Sequence, residues 1–381
     1  MSDSNKNDTP SIHPARVAVK ALLLFLAFNL VYAAVRASPG WFIVIRRGGY
    51  ERFPALWLPD VHNDGSVSIG REMFSNMDVL FASHILTRPK AADEFRVFIF
   101  GDSSVWGTAL YPEQTVAGQI NQLDLRTCSG QRVVAYNLGY PSNSATKDLL
   151  FMQRAQQYQP DLNVWLFSML AFQRIRQDVP FVVDNPLAVQ ELMTEYGLPH
   201  DASKLSVPPD PLWGATIAGQ RRDLNLLVRL QASTLLLGAL GMDDPRIVHE
   251  GGIHFQDTPK ASNDFFGIFP PANLSGYLAY ETLPVASAIT GGKIIYVGEP
   301  IEISTGVFSD ISYNSFFPRW AYDQFRQVVS GMSAEGGWTY LDLWNIIPEQ
   351  QFSTSIFHLL PEGEAALAAR LSETILLSAC P

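Results

Sequence analysis

A three-layer α/β domain on a parallel sheet is the fold class this sequence predicts, and three observations carry the prediction. Five short runs are rich in β-branched and aromatic residues: FRVFIF (95–100), RVVAYNL (132–138), NVWLFS (163–168), KIIYVG (293–298) and WTYLDL (338–343). They are apolar almost throughout rather than alternating, as strands buried on both faces of a parallel sheet are. Helical patterns separate or follow them at Glu113–Asp124, Ser142–Tyr158, Arg319–Glu335 and Glu362–Ser378. Strand–helix alternation with right-handed crossovers closes into helices on both sides of one sheet.

Ahead of these runs the chain looks different. Residues 1–16 are polar, carry Pro10 and Pro14, and read as a disordered tail. From Val17 to Val35 the sequence VAVKALLLFLAFNLVYAAV is interrupted only by Lys20 and Asn29. Such a helix is about 28 Å long, close to the hydrocarbon thickness of a bilayer. Lys20 can snorkel to the headgroups, and Asn29 adds a cost that does not veto insertion. The reading adopted is an uncleaved transmembrane anchor over 17–36. A signal segment cut near Val35-Arg36-Ala37 and a buried core helix are the competing readings. Lys6, Arg16 and Lys20 on one side balance Arg36, Arg46 and Arg47 on the other, so the positive-inside count is a tie. Long domains translocate largely regardless of charge, which places the C-terminal bulk outside the cytoplasm on a single-pass membrane protein.

Residues 37–93 are aromatic and turn-rich and read as a membrane-proximal connector with a short helix at Glu72–Leu86. The α/β domain then occupies 94–381, broken by an insertion at about 175–290 that is rich in Pro and Gly. Connections of that length carry function or structure of their own. Within it, DLNLLVRLQASTLLLGALG (223–241) is a leucine-rich helix. Asn225, Arg229 and Gln231 argue against a second span. An ordinary packed helix leads, ahead of a lid over the sheet edge or an interfacial helix touching lipid. No internal repeat is present.

Composition narrows the function. The 381 residues carry 27 Lys+Arg against 37 Asp+Glu, a net charge of −10, and only 17% are charged while 47% are hydrophobic. A chain of this length buries a full core without a metal or disulfide staple. The acidic balance excludes a general nucleic-acid binder, which needs clustered Lys and Arg. Cys128 and Cys380 are too few for a zinc cluster or a disulfide framework. One bridge between them suits an oxidising compartment, but spacing alone does not bring their Cα atoms within reach.

The chemistry concentrates after the first strand, in Gly101-Asp102-Ser103-Ser104-Val105-Trp106-Gly107. Ligands of open α/β sheets bind outside the carboxyl ends of the strands. A serine there presents its hydroxyl to the crevice and local N–H groups to a developing oxyanion. Asp102 most simply orders the turn. Gly139 ends the neighbouring strand in NLGYPSNS, and His358 stands just before the last helix in Ser355-Ile356-Phe357-His358-Leu359-Leu360-Pro361-Glu362-Gly363. A serine needs a base because its hydroxyl is barely ionised at neutral pH, and histidine is the usual one.

These residues resemble the SGNH/GDSL hydrolase family over about 95–175 and 290–380. The matches are Gly101, Asp102, Ser103 and Gly107, then Gly139, then His358 with Leu359, Pro361 and Gly363. The resemblance implies a flavodoxin-like sheet, nucleophile Ser103, base His358, and oxyanion donors from the Ser103 and Gly139 backbones. The reaction it implies runs through an acyl-serine, ending in hydrolysis or in transfer to another hydroxyl. Two positions depart from the family pattern. Leu170 stands where an oxyanion asparagine is expected, and Ser355, with Thr354 beside it, stands where the acid is expected. His358 must then be oriented by a hydroxyl or a backbone carbonyl, with weaker support for the imidazolium. Asp342 is an alternative acid, expected to be structural.

Weaker signals complete the reading. His249, Glu250, His254 and Asp257 lack the i, i+4 spacing of a helical metal pair and read as a polar loop. Glu299 and Asn314 cap turns or face the cleft, and Arg319 is a surface or stacked residue. No phosphate-cradling glycine loop and no dinucleotide fingerprint appears, so no cofactor is expected. The expected protein is a membrane-anchored SGNH-type serine esterase or O-acyltransferase at the cell envelope. The N-terminal segment makes membrane lipid a partner; the resemblance implies an acylated glycan or lipid-linked substrate and a membrane-bound O-acyltransferase beside it. The alternative is a catalytically degraded domain serving as a binding or assembly subunit.

Overall fold

The computed structural model describes residues 13–35, 49–61, 67–207, 210–240 and 257–380. Helix α1 (Pro14–Ala34) opens with proline in its first turn, where a missing N–H is no loss. Of the tail expected over 1–16, residues 1–12 lie outside the described residues and Pro14–Arg16 are helical. Among the described residues, α1 is the one helix long and apolar enough to cross a bilayer, with mean hydropathy 2.1.

An antiparallel hairpin of β1 (Ala55–Val61) and β2 (Val67–Met73) leads into α2 (Met77–Ser83). The Asn76 side chain accepts the Val79 N–H and so starts α2, while extended His84 ends it. This helix is therefore shorter than the one expected at Glu72–Leu86. Nor is the 37–93 stretch merely a connector: Phe53, Phe74, Leu80 and Phe81 are fully buried in the main core.

The predicted α/β sheet follows. Its elements are β3 (Glu94–Gly101), α3 (Ser103–Trp106), α4 (Val116–Gln122), β4 (Arg132–Gly139), α5 (Ala145–Ala155) and β5 (Leu162–Phe167). After β5 comes α6 (Met169–Phe172), and the long insertion then holds α7 (Pro180–Val183), α8 (Pro186–Tyr196), α9 (Pro211–Gly214), α10 (Arg221–Leu240) and α11 (Thr282–Ile289). The chain then returns through β6 (Ile294–Gly298), α12 (Arg319–Gly336), β7 (Thr339–Asp342) and α13 (Pro361–Ala379). All five main strands are parallel, in the order β4-β3-β5-β6-β7. The chain steps from β3 to β4 on one side and then crosses back to β5 on the other. The carboxyl end of β3 is thus the topological switch point, where doubly wound sheets bind ligands.

The apolar runs divide by face. On one side of the sheet lie Phe98, Phe100, Tyr136, Leu138, Trp165, Phe167 and Tyr296. On the other lie Val97, Ile99, Val133, Ala135, Val164, Leu166, Ile295 and Val297. Alternation in side-chain size, not in polarity, therefore separates a broad aromatic face from a flatter aliphatic one. The aromatic face receives α2, α5, α11 and α12, and the aliphatic face receives α4 and α13.

The edge strand β4 is closed to further pairing. Asn121 exchanges two hydrogen bonds with the Ala135 backbone, and Val133 N–H donates to Leu125 O. Buried His84 accepts the Leu86 N–H at Nδ1 and donates from Nε2 to Asn137 O. Burial pushes its imidazole down to about 4, so it serves as a neutral strut. On the aliphatic side, Cys128 and Cys380 form a disulfide, their Cα atoms 5.4 Å apart, tying the chain before β4 to the end of α13.

Candidate active site

The nucleophile turn is built at the end of β3. Asp102 is the N-cap of α3, accepting the Ser104 N–H at 2.8 Å, which leaves Ser103 at the first helical position. Gly107 ends the turn at φ 81°, a left-handed conformation that glycine adopts without cost. A second brace comes from the stretch before the hairpin. Arg52 donates to the carbonyls of Trp106 and Gly107 and lies over the Trp106 ring, whose Nε1–H donates to Phe53 O.

The histidine arrives from a tight loop between β7 and α13. Phe352 and Leu359 bridge its base, and Ser353 donates both its N–H and its hydroxyl to His358 O. The loop is held to the sheet by the Glu302 N–H, which donates to Ile356 O. These contacts bring His358 Nε2 to 2.9 Å from Ser103 Oγ, across 255 residues of sequence. On the other side of the ring, Thr354 Oγ1 lies 2.8 Å from Nδ1. For Nε2 to accept the serine proton, Nδ1 must carry the hydrogen and donate it to the Thr354 hydroxyl oxygen. The result is a serine–histidine–hydroxyl array.

Not every expected supporting residue takes the part the sequence suggested. Ser355, at the family's acid position, uses its hydroxyl to accept the Phe357 N–H. Its short side chain closes the loop locally, and Thr354 reaches the ring instead. Asp342 is paired with Arg326 of α12 at 2.6 Å, consistent with a structural role. Gly139 is corrected as an oxyanion donor, because its N–H donates to the Asn137 side chain at 3.0 Å. Its glycine identity has a different cause: a Cβ there would lie 2.4 Å from Trp106 N, so β4 and the nucleophile turn pack backbone to backbone. The Ser103 N–H takes no protein acceptor among the described residues and remains available to an oxyanion. Leu170 is buried in the aromatic core and supplies no donor.

Beneath the turn lies a polar layer that sequence reasoning only partly anticipated. Glu299, the residue after β6, is buried and accepts the Ser104 hydroxyl at 2.6 Å. Burial, reinforced by the nearby Asp102 carboxylate, pushes Glu299 well above the usual carboxylate range. Lys147 was not singled out at all. Its ammonium is fully buried and donates to Gly101 O at 2.8 Å, Tyr140 O at 3.1 Å and Asp148 Oδ1 at 2.5 Å. Lys147 thereby joins the loop carrying Ser103 to the loop leaving β4. Asp148 also accepts the Trp165 indole N–H at 3.0 Å, and burial raises its carboxyl to about 6. The only trace of this pair in the sequence is the adjacent Lys-Asp of SATKDLL.

Asn314 caps its own turn by accepting the Phe316 and Phe317 N–H groups, and Arg319 stacks on Tyr313. His249, Glu250 and His254 lie outside the described residues. Asp257 accepts the Ser315 N–H and the Ser304 hydroxyl.

Comparison with protein-family models and with curated proteins returns no match. Similar solved structures include a lipase/acylhydrolase from Enterococcus faecalis, at 13% identity and TM-score 0.33, covering 74% of this chain and 95% of that one. A carbohydrate acetylesterase family member from Sinorhizobium meliloti is 12% identical at TM-score 0.33, covering 74% and 98%. An acetylxylan esterase from Geobacillus stearothermophilus is 13% identical at TM-score 0.33, covering 77% and 99%. Likeness this distant carries no argument about activity. That rests on the geometry of Ser103, His358 and Thr354.

Proposed function

We propose that this chain is an SGNH-type serine ester hydrolase or O-acyltransferase, anchored by α1, with its α/β domain outside the cytoplasm. The observation that carries the proposal is the 2.9 Å contact between Ser103 Oγ and His358 Nε2, with Nδ1 held by Thr354. Such a pair does nucleophilic acyl chemistry. Ser103 Oγ attacks the ester carbonyl carbon while its proton passes to His358 Nε2. The negative charge on the former carbonyl oxygen faces the Ser103 N–H at the start of α3. Collapse expels the alcohol, which takes the proton from the imidazolium, and leaves an acyl-serine. Water or an acceptor hydroxyl, deprotonated by His358, then resolves it.

The site expects modest power. Leu170 replaces the asparagine donor, and the Gly139 N–H is engaged. Each missing oxyanion donor costs about 10²–10³ in rate, and a hydroxyl cannot match a carboxylate beside an imidazolium. The anchor reading is supported by the length and hydropathy of α1, and the extracytoplasmic placement by the Cys128–Cys380 disulfide. An acylated envelope glycan or lipid-linked ester is the substrate class proposed, with membrane lipid and a membrane-bound O-acyltransferase as partners. Labelling by a fluorophosphonate probe tests the chemistry. Wild type should be labelled and Ser103→Ala should not; an unlabelled wild type would reject the proposal.

A second reading is favoured by Leu170 and by the engaged Gly139 N–H. It makes the domain a catalytically weakened binding or assembly subunit. Its signature is a Ser103→Ala protein that retains partner binding and cellular phenotype in full.

A further inference from the structure

The insertion helix α10 has two apolar faces, and only one of them is used by the fold. Leu226, Leu227 and Leu230 are buried in the aromatic core, and Asp223 turns the same way to accept from Asn76. On the opposite face, Val228, Ala232, Leu235 and Leu236 follow one another at helical spacing and are exposed. Just before this helix, Leu212 and Trp213 of α9 are also exposed side by side. Scattered exposed leucines need no explanation, but a stripe along a helix flanked by an exposed tryptophan does.

The position of the stripe identifies what covers it. α1 is exposed along almost its whole length, with Asn29 and Tyr32 the two buried exceptions. Both are buried against the segment that leads into α10. The Tyr32 hydroxyl donates to Gln220 Oε1 at 2.7 Å, and Asn29 Oδ1 accepts the Ala218 N–H at 3.2 Å. Asn29 lies five residues before the end of α1, about 7.5 Å along the axis. In a spanning α1, residues 218–220 therefore meet the span within about 7.5 Å of its end, at the headgroup–acyl boundary where interfacial helices lie, and α10 starts there. The exposed cations of α10 suit that depth: Arg221, Arg222 and Arg229 cluster on one helix of a chain whose net charge is −10. Basic residues beside an apolar stripe are the signature of a helix lying on an anionic bilayer.

We infer that α10, with Leu212 and Trp213, docks on the surface of an anionic lipid bilayer, holding the α/β domain down beside its anchor. This rests on the anchor reading of α1, and the test separates the two. The full chain is placed in phosphatidylcholine/phosphatidylglycerol vesicles with a bimane label at a single introduced cysteine. The sites are Leu235→Cys on the stripe, Leu24→Cys on α1 and Leu377→Cys on α13, at the opposite face of the sheet. The leucines are 68%, 71% and 74% exposed, so labelling perturbs them alike. Doxyl-labelled lipid should quench Leu235→Cys to an extent comparable with Leu24→Cys and leave Leu377→Cys bright. Adding Arg221→Glu and Arg222→Glu, or omitting the anionic lipid, should lower quenching at Leu235→Cys only. Quenching at Leu24→Cys without quenching at Leu235→Cys overturns the docking surface and leaves the anchor standing. Quenching at Leu235→Cys alone overturns the anchor and leaves the surface standing, and quenching at neither overturns both. Shielding of Leu235→Cys from aqueous iodide without lipid quenching also overturns the inference, because protein then covers the stripe.

Discussion

Replacing Thr354 with valine tests the least familiar part of the site. The change keeps the shape of the side chain and deletes the oxygen 2.8 Å from His358 Nδ1. A neutral hydrogen bond is worth about 0.5–1.5 kcal/mol net, and one to a charged group about 1.5–3 kcal/mol. Before reaction the ring is neutral; in the transition state it carries the Ser103 proton. Only the difference, about 1–1.5 kcal/mol, accelerates chemistry, because the rest is already present in the ground state. Thr354→Val should therefore lower kcat by roughly 5–15-fold with little change in KM. Steady-state hydrolysis of a short-chain p-nitrophenyl ester reads this directly, and the rate of fluorophosphonate labelling should fall in parallel. Thr354→Ser should restore most of the rate. Ser355→Ala should be nearly silent, because that hydroxyl serves the Phe357 N–H. An unchanged kcat in Thr354→Val would show that the hydroxyl does not support the ring. A loss near the 10⁴ associated with a catalytic carboxylate would show that a charged group acts through it.

Lys147→Met should destabilise the fold by about 3–5 kcal/mol, since it leaves Asp148 buried without its cation, and should also lower kcat by loosening the Gly101 and Tyr140 carbonyls. Urea denaturation checks this: Lys147→Met with Asp148→Leu should recover part of the loss, and a single variant as stable as wild type would remove the clamp from the account. The Asp148 carboxyl, raised from 3.8 to about 6, holds its proton more tightly in the folded chain. Its contribution is full below about pH 4 and is lost as pH rises through about 6, a decline of about 3 kcal/mol. Asp148→Asn should flatten that part of the stability–pH profile, whereas parallel profiles would contradict it. Removing the disulfide with Cys128→Ser and Cys380→Ser opens a link spanning 252 residues and should cost about 2–5 kcal/mol. Equal melting of wild type with and without reductant would contradict that.

The elements that were legible share a physical cause. A strand buried on both faces must be apolar along its length, so FRVFIF or KIIYVG declares itself without reference to the rest of the chain. The same holds for α1, whose apolar length is a local property. The hairpin strands Ala55–Val61 and Val67–Met73 were not legible because Pro59 and the charged residues Asp60, Arg71 and Glu72 break any simple alternation. At the site, Ser103 and His358 were legible because their chemistry is distinctive and their flanking residues match a known pattern.

Composition and local pattern thus determined a parallel α/β body, an apolar N-terminal helix and the identity of one alcohol and one imidazole. Tertiary structure decided that Thr354 rather than Ser355 meets the ring, and that the Gly139 N–H belongs to Asn137. It also decided that Lys147 bolts two strand ends together and that Arg52 braces the nucleophile turn. The reason lies in range and direction. Burial is a sum over a segment and survives in its composition, whereas a hydrogen bond depends on where one atom points, to within tenths of an ångström. For Ser103 and His358 that aim is set by elements 255 residues apart, and only the folded chain brings them into line.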